Sequence, residues 1–172
     1  LGGSSSINGM IYIRGHYSDY DNWAYQGCQG WDYKSVLPYF KKSENYYKGA
    51  SDNHGTGGPL EVTPIKNPNP VSTAAINACE EIGIPLTDDF NTEIWGAGMN
   101  ELTVTPDGKR CSTAKAFLVP ALSRENLTVV TNAHAQRLTF DGKKCTGVVY
   151  KKDGKEITAS SSKEVILSAG AI

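Results

Sequence analysis

The 172-residue sequence lacks any long apolar run, because its hydrophobic residues, 39 % of the total, are spread in stretches of at most four or five. A membrane-spanning helix needs about 20 consecutive apolar residues, so none is predicted. An excess of positive charge is also missing, since 17 Lys and Arg residues face 18 Asp and Glu residues. A nucleic-acid-binding protein would carry a strongly basic patch, so we expect no nucleic-acid partner.

Cysteine is scarce and scattered. The four cysteines lie more than thirty residues apart, with neither a CxxC pair nor an adjacent histidine ligand. This spacing favours separate thiols in a reducing compartment over a disulfide framework or a zinc site, and we predict no metal site. Aromatic residues make up 9 % of the chain and supply a core. The composition therefore predicts a soluble, cytoplasmic, globular chain.

Both ends of the sequence look like internal parts of a protein. Leu1 stands where a Met would be expected, and Gly2 to Ser6 follow at once, with no signal-peptide pattern. At the other end, the strand-like run 165–167 leads into a small turn, as α/β domains do where they present backbone to a ligand. We therefore expect the chain to be a fragment of a larger protein.

The periodicity of apolar residues predicts helices in the first two thirds of the chain and strands in the last third. Capping residues and apolar spacing indicate a short helix capped by Asp19 or Asp21, and helices over 31–45, 71–82 and 112–122. Short strand-like runs lie at 60–63, 98–105, 127–131, 135–140, 146–151, 156–159 and 165–167. The dipeptides Asp141-Gly142 and Asp153-Gly154 are hairpin turn signals. The predicted class is α+β, with an antiparallel meander, or a fragment of an α/β protein.

The glycine and serine cluster Gly2 to Ser6 is the strongest local feature, and it has two interpretations. One is a loop whose backbone N–H groups approach a phosphate or a flavin, since small residues allow that approach. The other is a tight surface loop, which composition alone slightly favours. Asn8, which follows, can donate and accept hydrogen bonds or simply form a turn.

The remaining polar and aromatic candidates favour structural roles. His16, His54 and His134 form neither a Ser/His/Asp order nor an HExxH pattern. Asp88 and Asp89 are adjacent, so we expect their side chains to diverge into loop or capping roles. The aromatic residues are more often core than cofactor contacts. Composition and spacing alone thus assign no catalytic residue.

Taken together, the ordered motifs resemble the glucose–methanol–choline (GMC) oxidoreductase family, and within it the bacterial choline dehydrogenases. Residues 1–15, followed by Asp19 to Trp23, resemble the first signature of this family. The end of the chain, from Lys163, is similar to the segment that leads into the family's second signature. The match between them continues through Gly30-Trp31, Leu37 to Phe40, Glu44, His54-Gly55, Gly58 to Leu60, Asp88 to Asn91, Gly96 to Gly98, Ser112 to Ala114 and Asn126-Leu127.

The resemblance implies an FAD enzyme that oxidises a small alcohol by hydride transfer from its CH–OH group to flavin N5. It implies that FAD is bound non-covalently, because Ile7 stands where some members carry the histidine that attaches the flavin. It also favours an electron acceptor other than oxygen, and it leaves peripheral membrane association open by analogy. The residues implied to contact the cofactor are Gly2, Gly3, Ser4, Ser5, Asn8, Gly9, Met10, Ile11, Ala135, Ala169 and Gly170.

The same resemblance implies a division of the chain. Residues 1–16 would be the FAD-contacting glycine loop segment, and 17–162 a linking segment with part of a substrate-binding cap built on an antiparallel sheet and flanking helices. Residues 163–172 would be a strand returning to the FAD-binding α/β domain. The family's GxGxxG fingerprint and its catalytic histidine match no residues here, so no catalytic residue is assigned.

Two alternatives accompany this interpretation. The chain could be an excised domain with no activity or FAD binding of its own, or part of a hydroxynitrile lyase of the same family. Strands missing beside 165–167 would leave a sheet edge exposed. We therefore also expect self-association through that edge.

Overall fold

The computed structural model describes residues 1–170, so Ala171 and Ile172, the last two residues of the predicted returning strand, lie outside the described residues. The chain divides into two compact units, the first Leu1–Arg124 and the second beginning at Glu125. Helices and small sheets both occur, which confirms the mixed α and β class. Within the described part of the chain, no helix combines the length and apolarity needed to cross a membrane.

The first unit contains three α-helices: α1 (Tyr17–Tyr25), α2 (Tyr33–Ser43) and α3 (Pro70–Glu81). The cap of α1 is His16, three residues before the nearer predicted cap, and Asp19 instead completes a capping box by accepting a hydrogen bond from the His16 N–H at 2.9 Å. Asp32 caps α2, since Asp32 Oδ1 accepts a hydrogen bond from Ser35 N at 3.0 Å. These caps satisfy N–H groups that a helix leaves without an internal partner.

Helix α3 shows most clearly how local sequence sets both ends of an element. Asn69 caps it by accepting a hydrogen bond from Val71 N at 2.9 Å, and Pro70 occupies the first turn, where its missing N–H costs nothing. Gly83 follows the last turn with φ at 88°, a left-handed conformation that glycine adopts without strain. The predicted range 71–82 is correct to within one residue at each end.

A short parallel pair of strands joins distant parts of the first unit. Strand β1 (Glu44–Tyr46) pairs with β2 (Leu60–Val62) in register Glu44 with Leu60 and Tyr46 with Val62. The helix that was predicted to reach Asn45 therefore ends at Ser43, because the next three residues are recruited into the sheet.

The second unit contains an antiparallel three-stranded sheet whose strands are paired in the order in which they occur in the chain. Its hairpin turns place Gly142 and Gly154 at φ of 58° and 78°, which confirms the two Asp-Gly turn predictions. Val149 of the central strand is buried. The strands are β3 (His134–Asp141), β4 (Lys144–Lys152) and β5 (Lys155–Ser160).

Several predicted elements are absent or altered. The helix expected over 112–122 is a π-turn, Ala114–Leu118, followed by a 3₁₀ turn, Val119–Ala121, where Pro120 supplies no N–H for a continuing helix. The runs 127–131 and 165–167 are not strands, since within residues 1–170 no strand pairs with them. The run 98–105 forms only isolated bridges.

The centre of the first unit is unusually polar. Its fully buried side chains are led by His54, Glu44 and Val62, while large apolar residues such as Trp95 and Tyr25 remain exposed. A buried charge is tolerated only when it is paired and hydrogen-bonded. The stability of this unit therefore depends on how those polar groups satisfy one another.

Gly58 is predicted to be essential for the parallel pair. An added Cβ would lie 2.5–2.6 Å from backbone atoms of Ser43 and Glu44, so Gly58→Ala must displace the start of β1. We expect a loss of about 1–3 kcal/mol in the free energy of unfolding, measured by urea denaturation. The matched control is Gly9→Ala, where a Cβ meets no atom within 4 Å. Equal stability of the two variants would contradict the prediction.

Candidate functional site

The glycine and serine cluster forms one tight turn at the start of the first unit. Gly2 and Gly3 have φ of 105° and 54°, and Gly3–Ser6 makes a single 3₁₀ turn. The carbonyl of Ser4 accepts hydrogen bonds from the N–H groups of Ile7 at 3.1 Å and Asn8 at 2.9 Å. The left-handed backbone at Gly2 and Gly3 is one that other residues adopt only with strain.

Residues 8–11 lead from this turn into an extended segment. Asn8 Oδ1 accepts from Met10 N at 3.0 Å, and Met10 has a positive φ of 64°. The carbonyl of Met10 accepts from Thr103 N at 2.7 Å, and Ile11 bridges Leu102. We call residues 2–11 the cofactor loop, and eight of the predicted contact residues lie together in it.

The cofactor loop is also held by side chains about a hundred residues downstream. Arg110 Nη1 donates to Ser5 O at 3.1 Å, Asn8 O at 2.8 Å and Asn8 Oδ1 at 2.9 Å. Thr113 N donates to Ser5 Oγ at 2.9 Å, and Thr113 Oγ1 donates to Gly2 O at 3.1 Å. The sequence motif that contains Thr113 was part of the family resemblance, but no local pattern pointed to Arg110.

Gly9 stands apart from the other 17 glycines of the chain. The others either adopt a left-handed φ or have neighbours that a Cβ would meet, whereas Gly9 has neither constraint. Neither the backbone nor the packing of this chain therefore requires a glycine at position 9. A surface that must remain flat for a ligand would require it.

The other predicted contact residues belong to the second unit. Ala135 lies in β3 opposite Tyr150 and is exposed. Ala169 and Gly170 lie in an irregular segment, where Gly170 has φ of 126°.

A buried ionic cluster, which the sequence analysis missed, lies beyond the cofactor loop in the first unit. We define the ionic cluster as Arg14, Glu44, His54 and Asp89. Glu44 Oε1 lies 2.8 Å from Arg14 Nη2 and 3.2 Å from His54 Nδ1, the second close enough for an ion pair but not aligned as a hydrogen bond. His54 Nε2 contacts Asp89 Oδ2 at 3.0 Å. Two cations and two anions thus balance in the interior.

Hydrogen bonds set the charge states of this cluster against the effect of burial. Burial alone would lower the pKa of His54, but its contacts with Asp89 and Glu44 raise it to about 9. Burial would likewise raise the pKa of Glu44, yet contacts from His54, Tyr12 and the Gly55 N–H lower it overall. The imidazolium is therefore the stable form of His54 at neutral pH.

A second buried carboxyl group borders the cluster. Tyr46 donates its hydroxyl to Glu101, and the Tyr46 ring stacks on His54 with centroids 3.6 Å apart. Burial, with the nearby negative charge of Asp89, raises the pKa of Glu101. The raised pKa shifts Glu101 towards its neutral form.

Two of the histidines and the paired aspartates make contacts within the chain that suit the structural roles expected of them. His16 caps α1, and His54 is locked between two carboxylates. Asp88 pairs with Lys48 at 2.8 Å while Asp89 contacts His54, so the two side chains diverge as expected. In the described part of the chain, no three His, Cys, Asp or Glu side chains are grouped as metal ligands.

The first unit thus combines a tight glycine and serine turn, tied to Arg110 and Thr113, with a two-stranded parallel sheet. The family model described as GMC oxidoreductase matches residues 1–172, and the chain belongs to that family. The predicted resemblance is confirmed.

Among individual relatives, oxygen-dependent choline dehydrogenases from Burkholderia multivorans and Pectobacterium atrosepticum are 47 % and 48 % identical to the chain over 175 aligned residues. Each alignment covers 100 % of this chain but 31 % of the relative, so the chain spans about a third of their length.

Two solved structures share the fold. An FAD-dependent oxidoreductase from Chaetomium thermophilum, in complex with a small-molecule fragment, matches with a TM-score of 0.89 at 28 % identity, over 98 % of this chain and 32 % of that one. A pyridoxine 4-oxidase from Mesorbium loti matches with a TM-score of 0.79 at 27 % identity, over 91 % and 31 %.

The ionic cluster predicts a loss of stability at alkaline pH. Because the pKa of His54 is raised from 6.5 to about 9, its contribution is complete below pH 6.5 and is lost as pH rises through about 9. We expect a decrease on the order of 3 kcal/mol in the free energy of unfolding across that window, measured by urea denaturation.

Two variants separate His54 from other alkaline effects. His54→Gln removes the titrating group, so its stability should be lower at pH 6 and nearly independent of pH over this window. His134→Gln, at an exposed position in the second unit, should retain the wild-type profile. A wild-type protein whose stability does not change over the same window would contradict the assigned role.

Proposed function

We propose that the cofactor loop lies against the flavin and pyrophosphate of FAD, and that the chain forms part of an FAD-dependent oxidoreductase acting on CH–OH groups of a small alcohol. Gly9 carries this proposal. It is a glycine that neither the backbone nor the neighbours in this chain require, on a loop whose other contacts hold it rigid.

The donor set of the loop fits an anionic dinucleotide. Two left-handed glycines and a 3₁₀ turn form a tight curve of small residues, which leaves room for a phosphate group to approach the backbone. The residues of the first unit that would hold FAD are Gly2, Gly3, Ser4, Ser5, Asn8, Gly9, Met10 and Ile11. Contacts from Ala135, Ala169 and Gly170 are proposed from the family resemblance alone.

When bound, FAD would supply the hydride acceptor. This chain's own part is then to bind and orient the group, since His16 and His54 are engaged in structural contacts. Ile7 has no nucleophilic atom and is 86 % exposed, so we propose non-covalent binding. We assign no catalytic residue, and the proton-accepting base would lie outside residues 1–172.

The substrate and acceptor are proposed from the relatives. Choline is an alcohol with a quaternary ammonium group, so a small cationic alcohol is the favoured substrate. The names of the same relatives favour oxygen as the electron acceptor, which differs from the expectation drawn from the sequence.

We further propose that residues 17–162 include part of the substrate-binding cap and that residues 163–172 return to the FAD-binding domain. We also propose a cytoplasmic location, with peripheral membrane association left open.

The two alternatives predict different behaviour. A hydroxynitrile lyase would bind FAD but leave it oxidised when substrate is added. An excised domain without function would bind no FAD, and titration of the 172-residue chain with FAD, followed by flavin fluorescence, tests this directly.

We also propose that the chain self-associates, now through exposed apolar side chains and not through the edge of a strand. The predicted edge at 165–167 is not a strand, but Ile166 and Leu167 are 81 % and 70 % exposed. Such apolar exposure favours association. We expect the 172-residue chain to sediment as a dimer or larger species, and a single monomer peak in sedimentation velocity would exclude it.

The proposed function predicts that a side chain at position 9 removes flavin without unfolding the protein. In the protein expressed from its complete gene, Gly9→Val should reduce bound FAD about tenfold or more, because its isopropyl group occupies the open side of the loop. FAD per polypeptide is measured by absorbance after acid precipitation, which also shows whether the flavin is released and therefore non-covalent.

The controls are chosen to separate flavin loss from misfolding. Ser72→Val makes a small-to-Val change at an exposed site on α3 and should retain full flavin. The Gly9→Val apoprotein should unfold at the same temperature as the wild-type apoprotein. Full flavin content in Gly9→Val, or a wild-type protein that neither contains nor takes up FAD, would overturn the proposal.

A further inference from the structure

We propose that Arg110 is a positioning residue for the cofactor, acting through Asn8. This inference rests on the proposed function, because it assigns how the chain presents the cofactor loop to FAD. Arg110 touches the loop at Ser5 and Asn8 and would not itself need to contact the cofactor.

One guanidinium nitrogen makes the three close contacts that carry this inference, and its two N–H groups are shared among three acceptor oxygens. Nη1 of Arg110 reaches the carbonyls of Ser5 and Asn8 and also the side-chain Oδ1 of Asn8, at 2.8–3.1 Å. The contacts span the end of the 3₁₀ turn and the start of the extended segment. Arg110 therefore fixes the bend between these two parts of the loop.

These contacts also determine which way the Asn8 amide faces. Its Oδ1 accepts from both Arg110 Nη1 and Met10 N, so the oxygen end is held against the protein. The Nδ2 group makes no hydrogen bond to the residues that the structure describes, and Asn8 is exposed. The amide is thereby held with its donor end towards whatever lies on the open side of the loop.

Arg110 is itself rigidly placed. It bridges Val104 across a tight turn, and the next residue, Cys111, donates its N–H to Thr103 O at 2.9 Å. Thr103 in turn donates to Met10 O. The turn that carries Arg110 is thus hydrogen-bonded to the far end of the cofactor loop, so the donor and its acceptors belong to one connected structure.

Arg110 forms no ion pair with a carboxylate in the part of the chain that the structure describes. Within residues 1–170, no Asp or Glu oxygen lies within 4.0 Å of its guanidinium, unlike that of Arg14. Arginine keeps its charge at every physiological pH and presents donors in a fixed plane, which a lysine cannot reproduce. These donors are instead directed at the cofactor loop, where they hold the Asn8 amide in place.

The test is a double-mutant cycle on FAD affinity in the protein expressed from its complete gene, with apoprotein titrated by FAD. Arg110→Gln and Asn8→Ala should each raise the Kd for FAD about tenfold, the loss expected for a hydrogen bond to a charged group. Because Arg110 acts through Asn8, the double variant should bind FAD about as weakly as Asn8→Ala alone.

Further variants distinguish positioning from general destabilisation. Arg110→Lys keeps the charge without the planar donor group, so its Kd should lie between those of wild type and Arg110→Gln. Lys109→Gln changes the exposed neighbour that pairs with Asp107 and should bind FAD normally. The visible spectrum of bound flavin should shift in Arg110→Gln but not in Lys109→Gln, which a purely structural loss would not produce.

The outcomes separate this inference from the proposed function. If Gly9→Val loses FAD while Arg110→Gln binds it within twofold of wild type, the loop binds FAD and the inference is wrong. Additive effects of Arg110→Gln and Asn8→Ala would also overturn it. If wild type binds no FAD, the proposed function fails and this inference fails with it. Should Arg110→Gln fail to fold, the cycle is run with Arg110→Lys, whose Kd should exceed that of wild type and whose effect should disappear when Asn8 is Ala; an effect that persists there would overturn the inference.

Discussion

The first unit depends on the fully buried carboxylate of Glu44. One oxygen accepts from Arg14 Nη2 at 2.8 Å and from the Gly55 N–H at 2.7 Å, and the other accepts from the Tyr12 hydroxyl at 2.6 Å. Removing any one of these donors would leave a charge without full compensation in the interior, which costs several kcal/mol. Because the donors come from separate stretches of chain, Glu44 does for this unit what an apolar core does elsewhere.

The cofactor loop inherits its rigidity from that arrangement. Residues 12–14 are held by Glu44 at one end of the extended segment, while Thr113 holds Gly2 at the other end of the loop. Between them, Tyr12 N donates to Glu101 O at 2.8 Å and Arg110 fixes Asn8. A loop restrained at both ends loses little entropy when a ligand binds, and this is the condition for tight binding by small, polar residues.

The sequence predicted the features that local chemistry determines and missed those that depend on distant contacts. Asn69, Pro70 and Gly83 set the two ends of α3 by interactions within a few residues. The two Asp-Gly pairs likewise set the hairpin turns of the three-stranded sheet. In the sequence, Glu44 lies near the end of the predicted helix 31–45. Its ion pairs with Arg14 and His54 join residues that are far apart in the chain, so no periodic pattern indicates them. The contact of Arg110 with Asn8 spans 102 positions and is invisible to any local pattern. The run 165–167 shows the opposite case: its residues favour a strand, but no partner strand pairs with it among the described residues, so it does not form one.

The charge balance of the interior separates the pH response of the scaffold from that of the loop. Two cations and two anions can be buried together because their charges cancel, and a third carboxylate is tolerated because the pKa of Glu101 is raised by burial. His54 is the member of the ionic cluster that loses its charge at alkaline pH, because its contacts with two carboxylates raise its pKa to about 9. The loop contacts use backbone groups, hydroxyls, amides and an arginine, none of which changes charge in that range. Alkaline pH therefore acts first on the scaffold beneath the loop and only afterwards on the loop, so a loss of cofactor binding above neutral pH would follow the loosening of the ionic cluster.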